Sequence, residues 1–337
     1  MAAVVSIEDL RRPAVYALQT LAVAACYFAV GRLGLVRQLV VQGAVVTPIW
    51  PPTGLAVACL LIFGLRCLPG IALGVLLVVM SITSLRPAVI GTVAGNTAAP
   101  VCAYLLLCRV GFRTDLSRLR DGVALVFLGA LASMLISASV GVSLLVLMGK
   151  LAGHAFWPVW LAWWVGDAMG VLLVTPLLLL LHTARWPPSM SRWKEASALA
   201  LIACGLVPLA TYSRVSLLFL VYPLLILAAL RFQLWGSILC ALLASTTATI
   251  AATDEAGPFE QLTRVEVMIE LQAFNGSMAL TALLLSAVIT EQRNTRRSVE
   301  RACQDLVEVL EHLTAGDSPH PRPPKDVDGP RSEPEGQ

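Results

Sequence analysis

The chain has 337 residues, of which 57% are hydrophobic and only 13% charged, with a net charge of +3 and a mean hydropathy of +0.78. A soluble domain averages about 45–50% apolar and 25% charged residues, so the composition excludes an ordinary soluble globular protein. The small net charge gives no footprint for nucleic acid.

Apolar runs long enough to cross a bilayer recur along the chain, at 14–34, 46–64, 68–85, 88–108, 122–147, 158–182, 196–213, 215–230, 233–252 and 267–289. They predict an all-α fold, a polytopic integral membrane helical bundle of about 8–10 transmembrane helices. Residues 1–13 read as a cytoplasmic N-terminus carrying Arg11 and Arg12. In the first run, Val23-Ala24-Ala25-Cys26 has the form of a lipoprotein cleavage box. The apolar run continues through Tyr27, Phe28 and Val30, which fits an uncleaved helix better.

Only three residues join the second and third runs, which predicts a tight helical hairpin. The second opens on Trp50-Pro51-Pro52-Thr53-Gly54. Its indole suits the membrane interface, its prolines suit a helix start, and its glycine permits close packing. Pro69, Pro87 and Pro158 stand near the starts of the third, fourth and sixth runs. Gly70–Gly74, Gly91–Gly95 and Gly166–Gly170 are small-xxx-small pairs, which predict close helix packing.

In the fourth run, Gly95-Asn96-Thr97 brings an amide to mid-membrane. The sixth contains Trp157-Pro158-Val159-Trp160-Leu161-Ala162-Trp163-Trp164-Val165-Gly166-Asp167, and no second charge follows before Leu181. A carboxylate at the centre of a membrane helix costs about 3 kcal/mol on insertion scales, so Asp167 is expected to face the bundle interior with a partner or a function. Trp160, Trp163 and Trp164 precede it by seven, four and three residues, a spacing that lets them share its side of the helix. Asn96 is its expected partner. In the tenth run Glu266 and Glu270 share one side near the outer surface, and Asn275 lies deeper. The candidate ligand-binding residues are therefore Asp167, Asn96, Trp160, Trp163, Trp164, Trp50 and Glu270.

The eight cysteines form no C-x-x-C pair and read as small apolar packing residues. His154 and His182 fall on opposite sides of the membrane in this topology, so they cannot share a metal. No phosphate loop, nucleophile elbow or zinc helix motif is present. No enzyme, catalytic residue, metal or cofactor is expected.

With a cytoplasmic N-terminus, the inner segments hold fourteen basic residues, Arg66, Arg109, Arg113, Arg118 and Arg120 among them, and the outer segments six. That asymmetry satisfies the positive-inside rule and predicts an inner-membrane orientation with both termini cytoplasmic.

After the last run, residues 294–314 read as a short cytoplasmic helix. Val299, Cys303, Leu306, Leu310 and Leu313 recur at spacings of 4, 3, 4 and 3, a coiled-coil seam and a possible homodimer contact. Residues 315–337 are rich in proline and charge and are expected to be disordered.

Five stretches in order carry a family resemblance. They are Ile49–Gly54 with Phe63-Gly64 and Leu68–Gly74, then Gly95-Asn96-Thr97, then Trp163–Leu172, then Ala229-Leu230-Arg231-Phe232, then Gly257-Pro258-Phe259. Together, over residues 14–293, the chain resembles the membrane-associated sensor family of the first type, the MASE family. The resemblance implies a bacterial sensory input domain that precedes histidine kinase, diguanylate cyclase or phosphodiesterase modules. Only about 48 residues follow the last run, so a domain without its own output module is expected, relaying an unknown ligand, ion or proton to a kinase or cyclase in trans. A transporter, or a scaffold acting through its tail, are the alternative readings.

Overall fold

The computed structural model describes residues 7–41, 43–84, 87–184, 192–213 and 217–316, in two units, Met1–Glu291 and Gln292–Gln337. The beginning of the N-terminal segment, and Arg86, Arg185 and Arg214 among the basic loop residues, lie outside them. Of the segment 315–337, only its first two residues are described, and they finish a helix.

The helices are α1 (Ile7–Leu35), α2 (Pro51–Phe63), α3 (Leu68–Ile82), α4 (Pro87–Arg109), α5 (Leu119–Ala124), α6 (Ser133–Leu147), α7 (Phe156–Thr183), α8 (Trp193–Tyr212), α9 (Val221–Thr253) and α10 (Arg264–Gly316). A π-helical stretch, Leu125–Ala132, joins α5 to α6. Between α1 and α2 lies an antiparallel hairpin of β1 (Leu39–Val41) and β2 (Ala44–Val46). Here the structure departs from the expected start of the second run at residue 46. The β-branched valines pair as strands, and the helix begins only at Pro51, whose missing N–H suits a first turn.

Eight stretches among the described residues are helical, long and apolar enough to cross a membrane. Two of them, Pro51–Ile82 and Leu218–Phe259, turn back on themselves. A Cβ on Gly31 would meet both Pro52, at the start of α2, and Val78, near the end of α3. These arms are therefore antiparallel, joined by the tight turn Gly64–Cys67 where Gly64 takes φ 72°. Each arm has its own packing partner, α7 for α2 and α1 for α3. In α9 the backbone leaves the helical region at Gln233 (φ 55°, ψ −139°). The Ala228 carbonyl then lies close to Gly236, and the second half runs back beside α10. The two doubled stretches account for the difference between eight helical stretches and ten apolar runs.

The first unit has two poles. At one, Arg120 donates to the Val110 carbonyl, Glu291 accepts the Leu119 N–H, and Arg192 and Arg231 both meet Glu195. At the other, Arg37 pairs with Asp254 at 2.7 Å and Arg264 with Glu255 at 2.5 Å. Thr263 and Glu266 form a reciprocal N-terminal cap on α10, which accounts for that acid at the helix start.

All three small-residue pairs sit at helix contacts. Gly70 and Gly74 lie against Thr20, Val23 and Tyr27 of α1, Gly91 and Gly95 against Leu144 and Val140 of α6. Gly166 and Gly170 lie against the chain that enters α2.

Candidate functional site

The segment Thr47–Gly54 crosses α7 backbone to backbone. The Trp50 N–H donates to the Gly166 carbonyl at 2.9 Å. A Cβ on Gly170 would stand 1.9 Å from the Trp50 carbonyl oxygen, and one on Gly54 2.0 Å from that of Gly170. Thr175 closes the crossing by donating to the Gly54 carbonyl at 2.9 Å. The approach is possible only because these positions lack side chains, and it sets Thr53 directly against α7.

Asp167 is 1% exposed. Thr53 Oγ1 donates to its Oδ1 at 2.7 Å, and Ser137 Oγ of α6 donates to its Oδ2. Three helices thus meet at one carboxylate. Among the described residues no basic group pairs with it. Two hydroxyl donors reduce the desolvation cost of the carboxylate without cancelling its charge.

A cavity of about 350 Å³ opens from this point toward the pole that carries the β-hairpin. Asp167, Trp163, Trp50, Tyr27 and Asn96 surround its deep end. Valines and leucines form the walls, notably Val75, Val78, Val79, Val89, Leu144 and Leu145. The β-hairpin, Thr83, Met148 and Lys150 form the rim. A Cβ on Gly141 would stand 2.9 Å from the Trp163 ring, so the glycine leaves the indole room.

The structure brings together four of the seven candidates, Asp167, Asn96, Trp163 and Trp50. Asn96 lines the cavity, but its amide donates to the Thr92 carbonyl of its own helix at 3.0 Å. The hydroxyls of Thr53 and Ser137 occupy the place expected for it. Trp160 and Trp164 point elsewhere. They stack on each other with centroids 5.7 Å apart and donate to Ser139 Oγ and to the Leu131 carbonyl of the π-helical stretch. Glu270 lies on α10, outside the cavity lining. Thr53, Ser137 and Tyr27 are the members of the site that the sequence reading missed. Thr53 stood inside the Trp50–Gly54 motif, whereas nothing in the sequence set Ser137 apart from other membrane serines.

The family model of MASE1, the membrane-associated sensor domain 1, matches residues 19–293. No curated protein and no solved structure matches the chain.

Proposed function

We propose that this chain, which belongs to the MASE1 family of membrane sensor domains, receives its stimulus in the Asp167 cavity and passes it along α10 to a cytoplasmic signalling partner. The observation that carries this reading is a buried carboxylate, without a basic partner among the described residues, at the deep end of a cavity in a multi-pass membrane protein.

The pole with Arg109, Arg113, Arg118 and Arg120 faces the cytoplasm of a bacterial inner membrane, and the β-hairpin pole faces outward. Thr53 and Ser137 hold the two carboxylate oxygens from α2 and α6, so occupation of the cavity changes the packing of three helices together. Gln272 of α10 donates to the Ala162 carbonyl of α7 at 3.0 Å, about one and a half turns before Asp167, which gives α10 a direct reading of that helix. The stimulus shifts the packing equilibrium by its differential affinity for the two states. The output is a kinase or a diguanylate cyclase. A seam of Val299, Cys303, Leu306, Leu310 and Leu313 dimerises the end of α10, the Leu313 side chain lying outside the described residues.

A photoreactive residue at Gln304, exposed on α10, tests the proposal in cells. Capture of a kinase or cyclase, identified by mass spectrometry, supports it. Capture of no signalling protein overturns it, and uptake assays in proteoliposomes then take up the transporter alternative.

A further inference from the structure

We infer, building on the cavity reading above, that the cavity takes a monovalent organic ammonium with an apolar body, its cation seated between Asp167 and the rings of Trp50, Trp163 and Tyr27. Three observations converge on this class. First, the deep end holds one carboxyl group that no basic residue among the described ones pairs with, although Thr53 and Ser137 each satisfy part of its hydrogen-bonding capacity. Each carboxylate oxygen has two lone-pair directions, so capacity remains for an ammonium N–H. Second, the lining of the same cavity includes the aromatic rings of Trp50, Trp163 and Tyr27. Ring faces attract organic cations, and more strongly where water is excluded. Third, the walls beyond are valine and leucine, which suit the apolar remainder of such a molecule.

The same features exclude neighbouring classes. A divalent metal asks for about six oxygen ligands or a cluster of His, Cys, Asp and Glu. Among the described residues no group of three such side chains is placed to hold one. An anion would meet Asp167 directly. Lys150, the other charged lining residue, is exposed at the rim, where water and salt screen it. It cannot neutralise a buried acid, but it disfavours a second positive charge on the ligand.

The test uses the full chain in lipid nanodiscs and calorimetric titration with three probes of one shape: 2-phenylethylammonium, 2-phenylethanol and 3-phenylpropionate. The ammonium is expected to bind about tenfold or more tightly than the alcohol, and the carboxylate not at all. Asp167→Asn should bring the ammonium down to the level of the alcohol. Ala88→Trp, which fills the outer part of the cavity without touching Asp167, should weaken both. If Asp167→Asn does not accumulate, the charge series on the native chain together with Ala88→Trp decides. Equal binding of alcohol and ammonium, or ammonium binding indifferent to Asp167→Asn, overturns the inference. Loss of that binding in Ala88→Trp would still leave the cavity as the input site. Binding of none of the probes also overturns the ammonium class, and the sensory reading then stands or falls on the Gln304 capture alone.

Discussion

Thr53 and Asp167 are 114 residues apart in the chain, yet the hydroxyl of one donates to the carboxylate of the other at 2.7 Å in the buried interior. The bond exists because Gly54, Gly166 and Gly170 let α2 and α7 touch backbone to backbone. A buried hydrogen bond to a charged group is worth about 1.5–3 kcal/mol. Thr53→Val keeps the shape and removes the donor, so it should lower stability by about that amount. Asp167→Asn in the same background should restore part of the loss, because the charge that wanted the donor is gone. Equilibrium unfolding of the four proteins of the cycle measures the coupling. A coupling near zero would mean that the two side chains are merely adjacent.

The backbone crossing itself can be tested by adding one methyl group. Gly170→Ala places a Cβ on the Trp50 carbonyl, and neither backbone can give way without separating α2 from α7. Stability should fall by about 1–3 kcal/mol, as for overpacked cores. Gly205→Ala on α8 is the control, since nothing lies within 4 Å of its added Cβ. There the better helix propensity of alanine should leave stability unchanged or raise it by up to about 1 kcal/mol. Equal losses at both positions would remove the crossing from the account.

The sequence carried the membrane class and the central acid clearly, because a lone charge in a long apolar run is a chemical anomaly wherever the run folds. It carried the partners poorly. Hydroxyl residues are frequent in membrane helices, and only the α2–α7 and α6–α7 crossings select Thr53 and Ser137 among them. The tryptophan spacing allowed all three rings to share the side of Asp167, yet the Trp160 and Trp164 indoles found acceptors at Ser139 and Leu131 on the α6 side, away from the cavity. Asn96 found a carbonyl one turn back on its own helix, a local solution always open to a membrane amide. The β-hairpin was legible in principle from Leu39-Val40-Val41-Gln42-Gly43-Ala44-Val45-Val46, where β-branched residues flank a glycine. The continuous hydrophobicity toward Pro51 hid it.

Arg37 and Asp254 join the end of α1 to the end of α9 at 2.7 Å, with both side chains nearly half exposed. An exposed pair of this kind contributes at most about 1 kcal/mol and weakens with salt. Arg37→Ala should therefore shift thermal unfolding only slightly at low salt and not at all near 1 M salt. A large, salt-independent loss would show that Arg37 has a packing role that the ion pair does not describe.

Asn275 of α10 is fully buried, and neither its amide nitrogen nor its oxygen has a hydrogen-bond partner among the described residues. An unsatisfied buried polar group costs about 1–3 kcal/mol. Asn275→Leu, similar in volume and apolar, should raise the unfolding temperature in nanodiscs. A lower temperature would mean that the amide is satisfied in the membrane and holds α10 in place.

Val299, Cys303, Leu306 and Leu310 are all exposed along the second unit's part of α10, at heptad spacing. If two copies pair there in parallel, each Cys303 faces its counterpart across the seam, within reach of a disulfide, whose Cα atoms stand about 4.4–6.8 Å apart. Mild oxidation of native membranes should then give a species of twice the mass. Cys303→Ser should abolish it, and Leu306→Asp should weaken it by placing a charge in the seam. Glu308 projects from the opposite face of the same helix. Glu308→Cys, made in the Cys303→Ser background, should cross-link far less. Equal cross-linking from both faces would reduce the effect to random collision and remove the dimer from the proposed output.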